Sequence, residues 1–560
     1  MNLGATVRGP ALGLCKTRSV GTHDPATQPP WPGSNLAALV SAAARARPEA
    51  EAVVDERRRV TWAQLAAESA EVAAGLSTRG VFAGHRVAIL LANRIEFVTT
   101  YLGALGAGLV AVPLNTTSAT GEVVRVLADS QPRVVVCDEG TVTSARAAVE
   151  GLADALAGAD EDLRSRVVVP RIVVVDAPVL PGEQSYADLA SSGRAPTPSP
   201  QDPETLAVLL YTGGTSGRPR AAMLPHRALL ANVEQAASLT PPPLGPDDRV
   251  LGLLPLFHVY GLNAVLGQAL RQMACVVLAD RFDPERTLDL IERERVTNVP
   301  IAPPVLAAWA HREDVRHRFA SVRTVLSGAS PLAVEVVRRF EASTGLAVHQ
   351  GYGMTEASPV VTTTLGSLGR PKHGSVGRAL PGVEVKVVDE RGHDTEEGDP
   401  GEVWVRGANL FVGYWPDGHG APGPGGWYAT GDVGYLDADG DLFLVDRLQE
   451  IVIVSGFNVY PVEIEEAIAE VEGVEEVAVV GVTDDDGVEH VVAYVVADPD
   501  AWIPAERLAG DVNAHCERRL APFKRPADVR VVEELPHSVS GKVAKGRLRD
   551  SARRRAMGLA

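Results

Sequence analysis

Cysteine is scarce in this sequence of 560 residues. The four cysteines lie far apart, and no two of them have the CxxC spacing: Cys15, Cys137, Cys275 and Cys516. A disulfide scaffold and a cysteine-rich zinc site both require clustered or regularly spaced cysteines, so the sequence excludes both. The pattern is typical of a reducing compartment, and we expect a cytoplasmic protein.

The sequence also lacks an excess of positive charge. It has 53 lysines and arginines against 71 aspartates and glutamates, which gives a formal net charge of -18. A general affinity for nucleic acid or for an anionic membrane surface requires a basic face, so neither partner is expected. The basic residues at the C-terminal end are interpreted as a solvated helix end and tail.

Long hydrophobic runs are absent as well. The longest uncharged run, around Tyr101–Leu114, contains several glycines and reaches Pro113, which indicates a buried helix leading into a buried strand. Arg8, Lys16 and Arg18 interrupt the first apolar stretch, so no signal-peptide core forms. No integral membrane segment is expected.

What is present is the composition of a large globular protein, with 45% hydrophobic and 22% charged residues. The capping-box spacing of Thr61 and Gln64 predicts a helix that ends near Leu76. From Arg86 onward, short apolar runs alternate with helical periods, such as a strand over 87–91 and a helix over 95–106. This alternation predicts βαβ units and a buried, largely parallel sheet.

The length of the chain and the changes in its pattern of apolar and polar residues predict several domains. We expect an α/β fold: a large N-terminal domain of βαβ-type sheets with helices, a β-rich subdomain, and a small mobile C-terminal α+β domain. The predicted boundaries are a poorly ordered extension (1–33), the large domain (34–446, β-rich from about 381), a hinge (447–450), the small domain (451–552) and a basic tail (553–560).

A glycine-rich stretch, LLYTGGTSGRPRAAM, runs from Leu209 to Met223. An apolar strand precedes it and an apolar helix (228–237) follows it. Glycines let several backbone N–H groups turn toward one ligand, and hydroxyls and a guanidinium complete a site for polyphosphate oxygens. A Walker A loop is excluded because no Gly-Lys-Ser/Thr follows. The alternative is a flexible surface linker. The phosphate-binding candidates are Thr212, Gly213, Gly214, Thr215, Ser216, Gly217 and Arg220.

Four other stretches have unusual residue combinations. His258 lies between aromatic residues in LPLFHVYG, where a structural histidine is the alternative. In GYGMTE, Tyr352 is flanked by glycines and can lie flat against a planar base, and Glu356 suits a hard cation beside phosphate. Asp432 follows a tight turn, and its carboxylate can accept hydrogen bonds from vicinal hydroxyls. Lys542 lies on a glycine-containing loop near the C-terminus.

In this order, these stretches resemble the adenylate-forming superfamily of acyl-CoA synthetases, peptide-synthetase adenylation domains and luciferases. The resemblance covers the chain from about Ser34 to Arg549 and rests on five ordered motifs. It implies that the glycine loop binds the pyrophosphate end of ATP and that Glu356, next to Thr355, binds Mg²⁺. It further implies a nucleoside site for adenine and ribose at Gly328, Ala329, Gly351, Tyr352, Gly353, Asp432 and Arg447.

The resemblance also assigns the catalytic steps. Lys542 bridges the substrate carboxylate and the α-phosphate, which agrees with electrostatics, since a cation between two approaching anions is needed most in the transition state. A rotation at Gln449 then replaces Lys542 with the thiol channel for coenzyme A, formed by Ser455, Gly456 and Phe457. His258 is implied as a further catalytic residue. The acid pocket is expected at His258, Tyr260, Gly261, Asn263 and Ala329.

Several positions depart from the family pattern. Gly213 stands where Ser is frequent, Arg220 where Lys is usual and Ala221 where Gly is common. Arg keeps the charge of Lys but has a broader head group. Gln449 replaces the Asp or Lys of the hinge, which leaves the timing of the rotation open, and His537 replaces a basic residue.

Three reactions are compatible with the sequence. The first is an ATP-dependent acid–CoA ligase that acts on a medium- or long-chain fatty acid or on an aryl or cinnamate-type acid. The second is an acyl-AMP ligase that loads a separate carrier protein; its amino-acid form is disfavoured because His258 stands where Asp is usual. The third is a luciferase-like oxygenase or a non-catalytic nucleotide-binding relative. The expected partners are therefore the acid, ATP and CoA. The oligomeric state is left open.

Overall fold

The computed structural model describes residues 35–156, 168–191, 193, 202–212, 220–330, 332, 334–447, 450, 452–454, 457–483, 489–499, 501–520, 522–537 and 542–556. The expected N-terminal extension, most of the glycine loop and the hinge residue Gln449 therefore lie outside the described residues.

The described strands, in chain order, are β1 (Glu51–Val54), β2 (Arg59–Thr61), β3 (Arg86–Leu90), β4 (Val110–Pro113), β5 (Pro132–Asp138), β6 (Arg171–Val175), β7 (Gln184–Ser185), β8 (Leu206–Thr212), β9 (Arg220–Pro225), β10 (Arg249–Gly252), β11 (Cys275–Leu278), β12 (Asn298–Ile301), β13 (Thr324–Ser327), β14 (Val348–Gly353), β15 (Val360–Thr363), β16 (Ser375–Ala379), β17 (Val383–Val388), β18 (Gly401–Gly407), β19 (Tyr428–Leu436), β20 (Leu442–Arg447), β21 (Val452–Val454), β22 (Phe457–Val459), β23 (Val474–Thr483), β24 (Glu489–Ala497) and β25 (Asp528–Val532).

The described α-helices are α1 (Ala38–Ala46), α2 (Trp62–Thr78), α3 (Ile95–Gly106), α4 (Thr120–Ser130), α5 (Val142–Glu150), α6 (Leu152–Leu156), α7 (Tyr186–Leu189), α8 (His226–Ala237), α9 (Gln268–Gln272), α10 (Pro284–Arg293), α11 (Pro303–Ala310), α12 (Val315–Arg318), α13 (Val334–Thr344), α14 (Pro461–Ala469), α15 (Ala505–Arg519) and α16 (Lys545–Ala556). A π-helix (Tyr260–Gly267) leads directly into α9. Short 3₁₀ turns cover Thr355–Ala357, Thr364–Gly366, Pro424–Gly426 and Pro522–Lys524.

The first sheet has the strand order β7-β6-β5-β3-β4-β8-β9 among the described residues. Its neighbouring strands are parallel except at the edge, where β8 and β9 form an antiparallel hairpin. The inner strands are almost completely buried, as β4 shows along its whole length. A parallel sheet covered on both faces requires such continuous apolar runs, so the buried parallel sheet that the sequence predicts is confirmed.

The second sheet has the order β2-β1-β11-β10-β12-β13-β14-β15-β16-β20-β19-β18-β17 among the described residues. It joins a half that is parallel except for the edge pair β1–β2 to an antiparallel half. The junction is β14, which is parallel to β13 on one side and antiparallel to β15 on the other. β16–β20 form the antiparallel, β-rich end. This change of strand direction at β14 leaves the backbone around Gly351–Gly353 at the edge of a cleft.

The C-terminal part has its own small core. β23 and β24 are antiparallel, β25 adds in parallel to β24, and α14–α16 pack against them. The buried side chains include Ile464, Ile468, Val479, Val495 and Leu508. Together with the two large sheets, this α+β unit confirms the predicted fold class.

Local predictions hold where the signal is strong. Thr61 and Gln64 form the predicted capping box at the start of α2, and α3 has the predicted bounds. The helix predicted over 228–237 is confirmed as α8, and between the glycine loop and this helix lies β9, which pairs with β8. Its residues, RAAMLP, have little strand propensity, so this strand depends on its partner.

None of the helices that the structure describes has both the length and the apolarity needed to cross a bilayer. Three cysteines lie in the described part of the chain, Cys137, Cys275 and Cys516, and each is buried as a free thiol.

Candidate active site

A cavity of about 640 Å³ lies between the large sheets and the C-terminal segment. Lys542 comes from the C-terminal side of this cavity, and its other described wall residues belong to the large lobe. Most of the described candidate residues line it: Thr212, Arg220, His258, Tyr260, Gly328, Ala329, Gly351, Tyr352, Gly353, Thr355, Glu356, Asp432 and Lys542. The fold thus brings together residues that are up to 330 positions apart in the sequence.

The remaining candidates fall into two groups. Eight candidates lie outside the described residues: Gly213, Gly214, Thr215, Ser216, Gly217, Gln449, Ser455 and Gly456. Two others are described only as strand positions, Arg447 and Phe457. Gly261 and Asn263, predicted to line the acid pocket, are absent from the described cavity wall. Asn263 is fully buried, and its side-chain amide donates to the carbonyl oxygens of Leu229 and Ser358. It therefore joins α8 to the segment before β15, and this structural contact is the correction to its predicted role.

The edge of β14 forms one wall of the cavity. The hydroxyl of Tyr352 donates to Oδ2 of Asp432 across 2.6 Å. The next residue, Gly353, lies at a bulge where a Cβ would be 2.2 Å from the carbonyl oxygen of Pro359. Only glycine permits this close approach, because any side chain would force the two strands apart.

The turn after β13 forms the adjoining part of the wall, because β13 is the parallel neighbour of β14. A Cβ on Gly328 would lie 3.0 Å from the ring of Tyr260, so the glycine lets this aromatic ring pack against the backbone. Ala329 has a φ of 75°, in the left-handed region that disfavours residues with a Cβ. Gly328 and Ala329 therefore line the cavity next to the end of β14.

At the third wall of the cavity, Tyr414 contacts both the carboxylate of Glu356 and the guanidinium of Arg220. The hydroxyl of Tyr414 donates to Oε1 of Glu356 across 2.6 Å. The guanidinium carbon of Arg220 lies 5.7 Å from the centre of the same ring. Burial and the charge of Glu356 raise the pKa of Tyr414, and the same two causes raise the pKa of Tyr428 to about 12. Both phenols are thus hydrogen-bond donors at neutral pH.

Tyr414 was missed by the sequence reasoning. The sequence feature that could have identified it is the run from Phe411 to Trp415, which contains aromatic residues and a glycine but no charged residue.

The half-buried imidazole of His258 faces the C-terminal side of the cavity. The backbone N–H of Tyr260 donates to its Nδ1 across 3.2 Å, so the neutral ring carries its proton on Nε2. Burial, together with the positive charge of Lys542, lowers the pKa of His258 to about 4. His258 is therefore an uncharged donor at neutral pH, and its side chain and Lys542 are close enough to interact.

Lys542 itself is held by contacts on both sides of its loop. Val543 pairs with His537 in a β-bridge, and the N–H of Ala544 donates to the carbonyl oxygen of Pro536 across 2.6 Å. Three residues after Lys542, at the start of α16, Lys545 forms ion pairs with Glu465 at 2.8 Å and with Glu450 at 3.2 Å. These contacts fix the segment that carries Lys542 relative to the core of the C-terminal part.

A part of the cavity wall that lies in the large lobe, the uncharged arm, includes polar and apolar residues of several elements. Its walls follow the periodicity of the elements that form them: Thr324, Leu326 and Gly328 on one face of the strand β13 and the turn after it, Asn298 and Pro300 on β12, Asn232, Ala236 and Leu239 on and just after α8, and Tyr260, Ala264 and Gln268 on the π-helix and α9. The backbone from Thr324 to Gly328 runs for about 13 Å along this wall. None of these wall residues is charged.

The sequence reasoning did not find this arm, apart from Tyr260 and the Gly328–Ala329 turn. The same-face spacing of 324, 326 and 328 and the i, i+4 spacing of 232/236 and 260/264/268 are visible in the sequence. Which of these faces meet is decided only by the fold.

Comparison with known proteins agrees with this geometry. The sequence model of the AMP-binding enzyme family matches residues 40–415, and that of the AMP-binding enzyme C-terminal domain matches residues 463–542. The chain therefore belongs to the AMP-binding enzyme family, and it is an AMP-forming acid–thiol ligase.

Individual relatives are similar over almost their whole length. A long-chain-fatty-acid–CoA ligase of Bacillus subtilis (strain 168) is 31% identical over 541 residues, which cover 93% of this chain and 95% of the relative. The 4-coumarate-CoA ligase 1 of Narcissus pseudonarcissus is 32% identical over 504 residues, 88% of each chain. The crystal structure of ATP-bound MatB from Rhodopseudomonas palustris superposes with a TM-score of 0.82 at 31% identity, covering 93% of this chain and 99% of that one.

Proposed function

We propose that this protein activates a medium- or long-chain fatty acid with ATP, giving acyl-AMP and pyrophosphate, and then transfers the acyl group to the thiol of coenzyme A. The observation that carries the proposal is the uncharged arm, with about 13 Å of β13 backbone along it, in the same cavity that His258 and Lys542 line. An extended apolar chain fits such an arm, and its carboxylate would then lie next to the only described cation from the C-terminal side of the cavity.

The proposed chemistry of the first step follows from the charges. The acid carboxylate must approach the α-phosphate, and Lys542 supplies the positive charge between the two anions. His258 is uncharged at neutral pH, so it can donate a hydrogen bond to the carboxylate. Because it adds no positive charge, it does not disfavour the protonated form of Lys542. Thr212, Arg220 and the intervening glycine loop (213–217) bind the β- and γ-phosphates.

The nucleoside is proposed to lie between two walls. Adenine would stack between Tyr352, with its flanking glycines Gly351 and Gly353, and the turn at Gly328–Ala329. The ribose hydroxyls would donate to Asp432, whose carboxylate is already oriented by Tyr352. Arg447 is proposed as a second ribose contact.

The site also fits Mg²⁺. Glu356 offers carboxylate oxygen and Thr355 hydroxyl oxygen, and both line the cavity near Arg220. Oxygen donors of this kind suit a hard cation that accompanies phosphate. Mg²⁺ bound there would neutralise charge on the phosphate oxygens, while Glu356 and Thr355 hold its position.

For the second step we propose the rotation that the family resemblance implies. Residues 447–450, with Gln449 at the hinge, would turn the domain 451–552 so that Ser455, Gly456 and Phe457 replace Lys542 at the cavity. One cavity would then serve adenylation and thioester formation in turn.

The second candidate is an aryl or cinnamate-type acid, which the similarity to a 4-coumarate-CoA ligase favours. A flat ring is much shorter than the arm, whereas a flexible chain occupies it fully. Delivery to a separate carrier protein instead of CoA is a further alternative.

The proposed location is the cytoplasm, because the free thiols of the described cysteines are typical of a reducing compartment.

The test is a panel of acids supplied to the purified full-length protein with ATP and Mg²⁺. We expect pyrophosphate release to be fastest with fatty acids of medium or long chain, and addition of CoA to convert the adenylate into acyl-CoA. Preference for cinnamate-type acids would establish the second candidate. Acyl-AMP that persists when CoA is added would instead favour a carrier-protein acceptor.

A further inference from the structure

The segment from Phe411 to Trp415 joins two parts of the cavity wall through its backbone. The N–H of Phe411 donates to the carbonyl oxygen of Glu356 across 2.9 Å. Val412 and Gly413 exchange hydrogen bonds with Met223 of β9, at 3.1 and 3.0 Å. The segment therefore ties the turn of Glu356 to the strand that begins at Arg220.

The side chain of Tyr414 connects the same two parts a second time. Its hydroxyl donates to Oε1 of Glu356 across 2.6 Å, and Arg220 lies over its ring at 5.7 Å. A cation near an aromatic face and a carboxylate at the phenol oxygen are both favourable. One ring thus orients a negative and a positive group at the place where a metal–polyphosphate complex would be bound.

The position of this ring is fixed by its neighbours. Phe411 packs edge-on against it with a centroid separation of 5.1 Å, and His419 lies at 5.4 Å. The backbone N–H of Tyr414 donates to the carbonyl oxygen of His419 across 2.8 Å. Gly413 has a φ of 108°, and a Cβ there would lie 2.2 Å from the carbonyl oxygen of Gly418, so the turn closes only with glycine.

We propose that Tyr414 is a positioning residue that couples the carboxylate of Glu356 to the guanidinium of Arg220, so that the protein binds the metal and the triphosphate as one unit. The proposal rests on the proposed function, because it assumes that Glu356 binds the metal and that Arg220 binds phosphate. Tyr414 contacts both residues and is not itself assigned to substrate.

Two substitutions separate the two contacts. Tyr414→Phe keeps the ring under Arg220 and removes the hydroxyl from Glu356. Tyr414→Leu removes both contacts. The matched control is Tyr435→Phe, whose ring stacks on Phe443 at 5.0 Å in the β-rich sheet and is absent from the cavity wall.

The experiment is calorimetric titration of the full-length protein with a non-hydrolysable ATP analogue, with and without Mg²⁺, without any acid. A parallel measurement follows Mn²⁺ by electron paramagnetic resonance in the analogue complex. We expect Tyr414→Phe to weaken binding about fivefold in the presence of the metal and little in its absence, since a hydrogen bond to a charged group is lost. Tyr414→Leu should weaken analogue binding under both conditions, because Arg220 loses its support.

The outcomes are distinguishable. If the wild-type protein does not bind the analogue at all, the proposed function fails. If the wild type binds it and Tyr414→Phe shows an unchanged metal dependence and an unchanged Mn²⁺ spectrum, the positioning role of Tyr414 is overturned while the proposed function stands. Equal weakening by Tyr414→Phe with and without metal would also overturn it.

Discussion

The hydroxyl of Tyr352 donates a hydrogen bond of 2.6 Å to the carboxylate of Asp432, although the two residues are 80 positions apart. Tyr352 is the penultimate residue of β14, and Asp432 lies on β19 of the β-rich half of the same sheet. The bond connects the wall proposed for adenine to the carboxylate proposed for ribose. The strand reversal at β14 is thus also the place where the two halves of the proposed nucleoside site meet.

Tyr352→Phe should raise the KM for ATP about fivefold and change kcat little. The ring that would stack on adenine is retained, whereas Asp432 loses the donor that orients its carboxylate. Steady-state kinetics of pyrophosphate release with varied ATP measures this split. A fall in kcat with an unchanged KM would show that the pair does not act on nucleotide binding.

Lys545→Met should slow adenylation about tenfold and leave thioester formation from supplied acyl-AMP nearly unchanged. The substitution leaves Glu450 and Glu465 facing each other without their shared cation, so the segment that carries Lys542 loses its support. The matched control is Lys524→Met, which removes the ion pair with Glu463 in the same C-terminal part. Similar losses in both variants would mean that the effect is a general destabilisation of this part.

Ala264→Phe should shorten the acid that the enzyme accepts. Ala264 lies between Tyr260 and Gln268 on the wall of the uncharged arm, and a phenyl group there would take up part of its space. We expect at least about a tenfold loss of kcat/KM with long-chain acids and little loss with short ones, because overpacking affects only substrates that reach this depth. Ala264→Gly is the control. A uniform loss over all chain lengths would place the acid elsewhere.

The protein should lose stability on mild acidification through His226. This side chain is 1% exposed and accepts a hydrogen bond from the N–H of Leu36, and burial lowers its pKa to about 4. Since the unfolded chain takes up a proton near the ordinary pKa of histidine, the stabilisation is complete above that value and disappears as the pH falls toward 4. The shift corresponds to about 3 kcal/mol at most.

The measurement is the midpoint of thermal unfolding as a function of pH. His226→Asn should show a shallower decrease in the midpoint between about pH 7 and pH 4.5 than the wild type. The exposed residue His317 provides the control variant, His317→Asn, which should retain the wild-type slope. An unchanged slope in His226→Asn would mean that this histidine does not couple folding to protonation.

The sequence predicts much of the fold because its strongest signals are local. The capping box at Thr61 and the apolar period of α3 are complete within their own segments. By contrast, β9 has weak strand propensity and exists through its pairing with β8. Asn263 looks like a pocket residue in the sequence, and only the packing of α8 against the π-helix shows that its amide is used to bind backbone.

In the candidate site, too, local motifs identified some residues and long-range contacts determine the others. Motifs with unusual composition identified Tyr352, Asp432 and Lys542, and the fold brings all three to one cavity. Tyr414 and the uncharged arm were not identified in this way, because their sequence signals do not say which partners they meet. The contact of Tyr414 with Glu356 is set by the fold.

The central claim is that one cavity carries out acid activation with a cation delivered by the C-terminal part, and the two half-reactions of Lys542→Ala test it most directly. Acid-dependent pyrophosphate release should fall by at least about a hundredfold, because the charge between the two anions is lost. Thioester formation from supplied acyl-AMP and CoA should remain close to the wild-type rate. Equal loss of both half-reactions, or adenylation at the wild-type rate, would contradict the account.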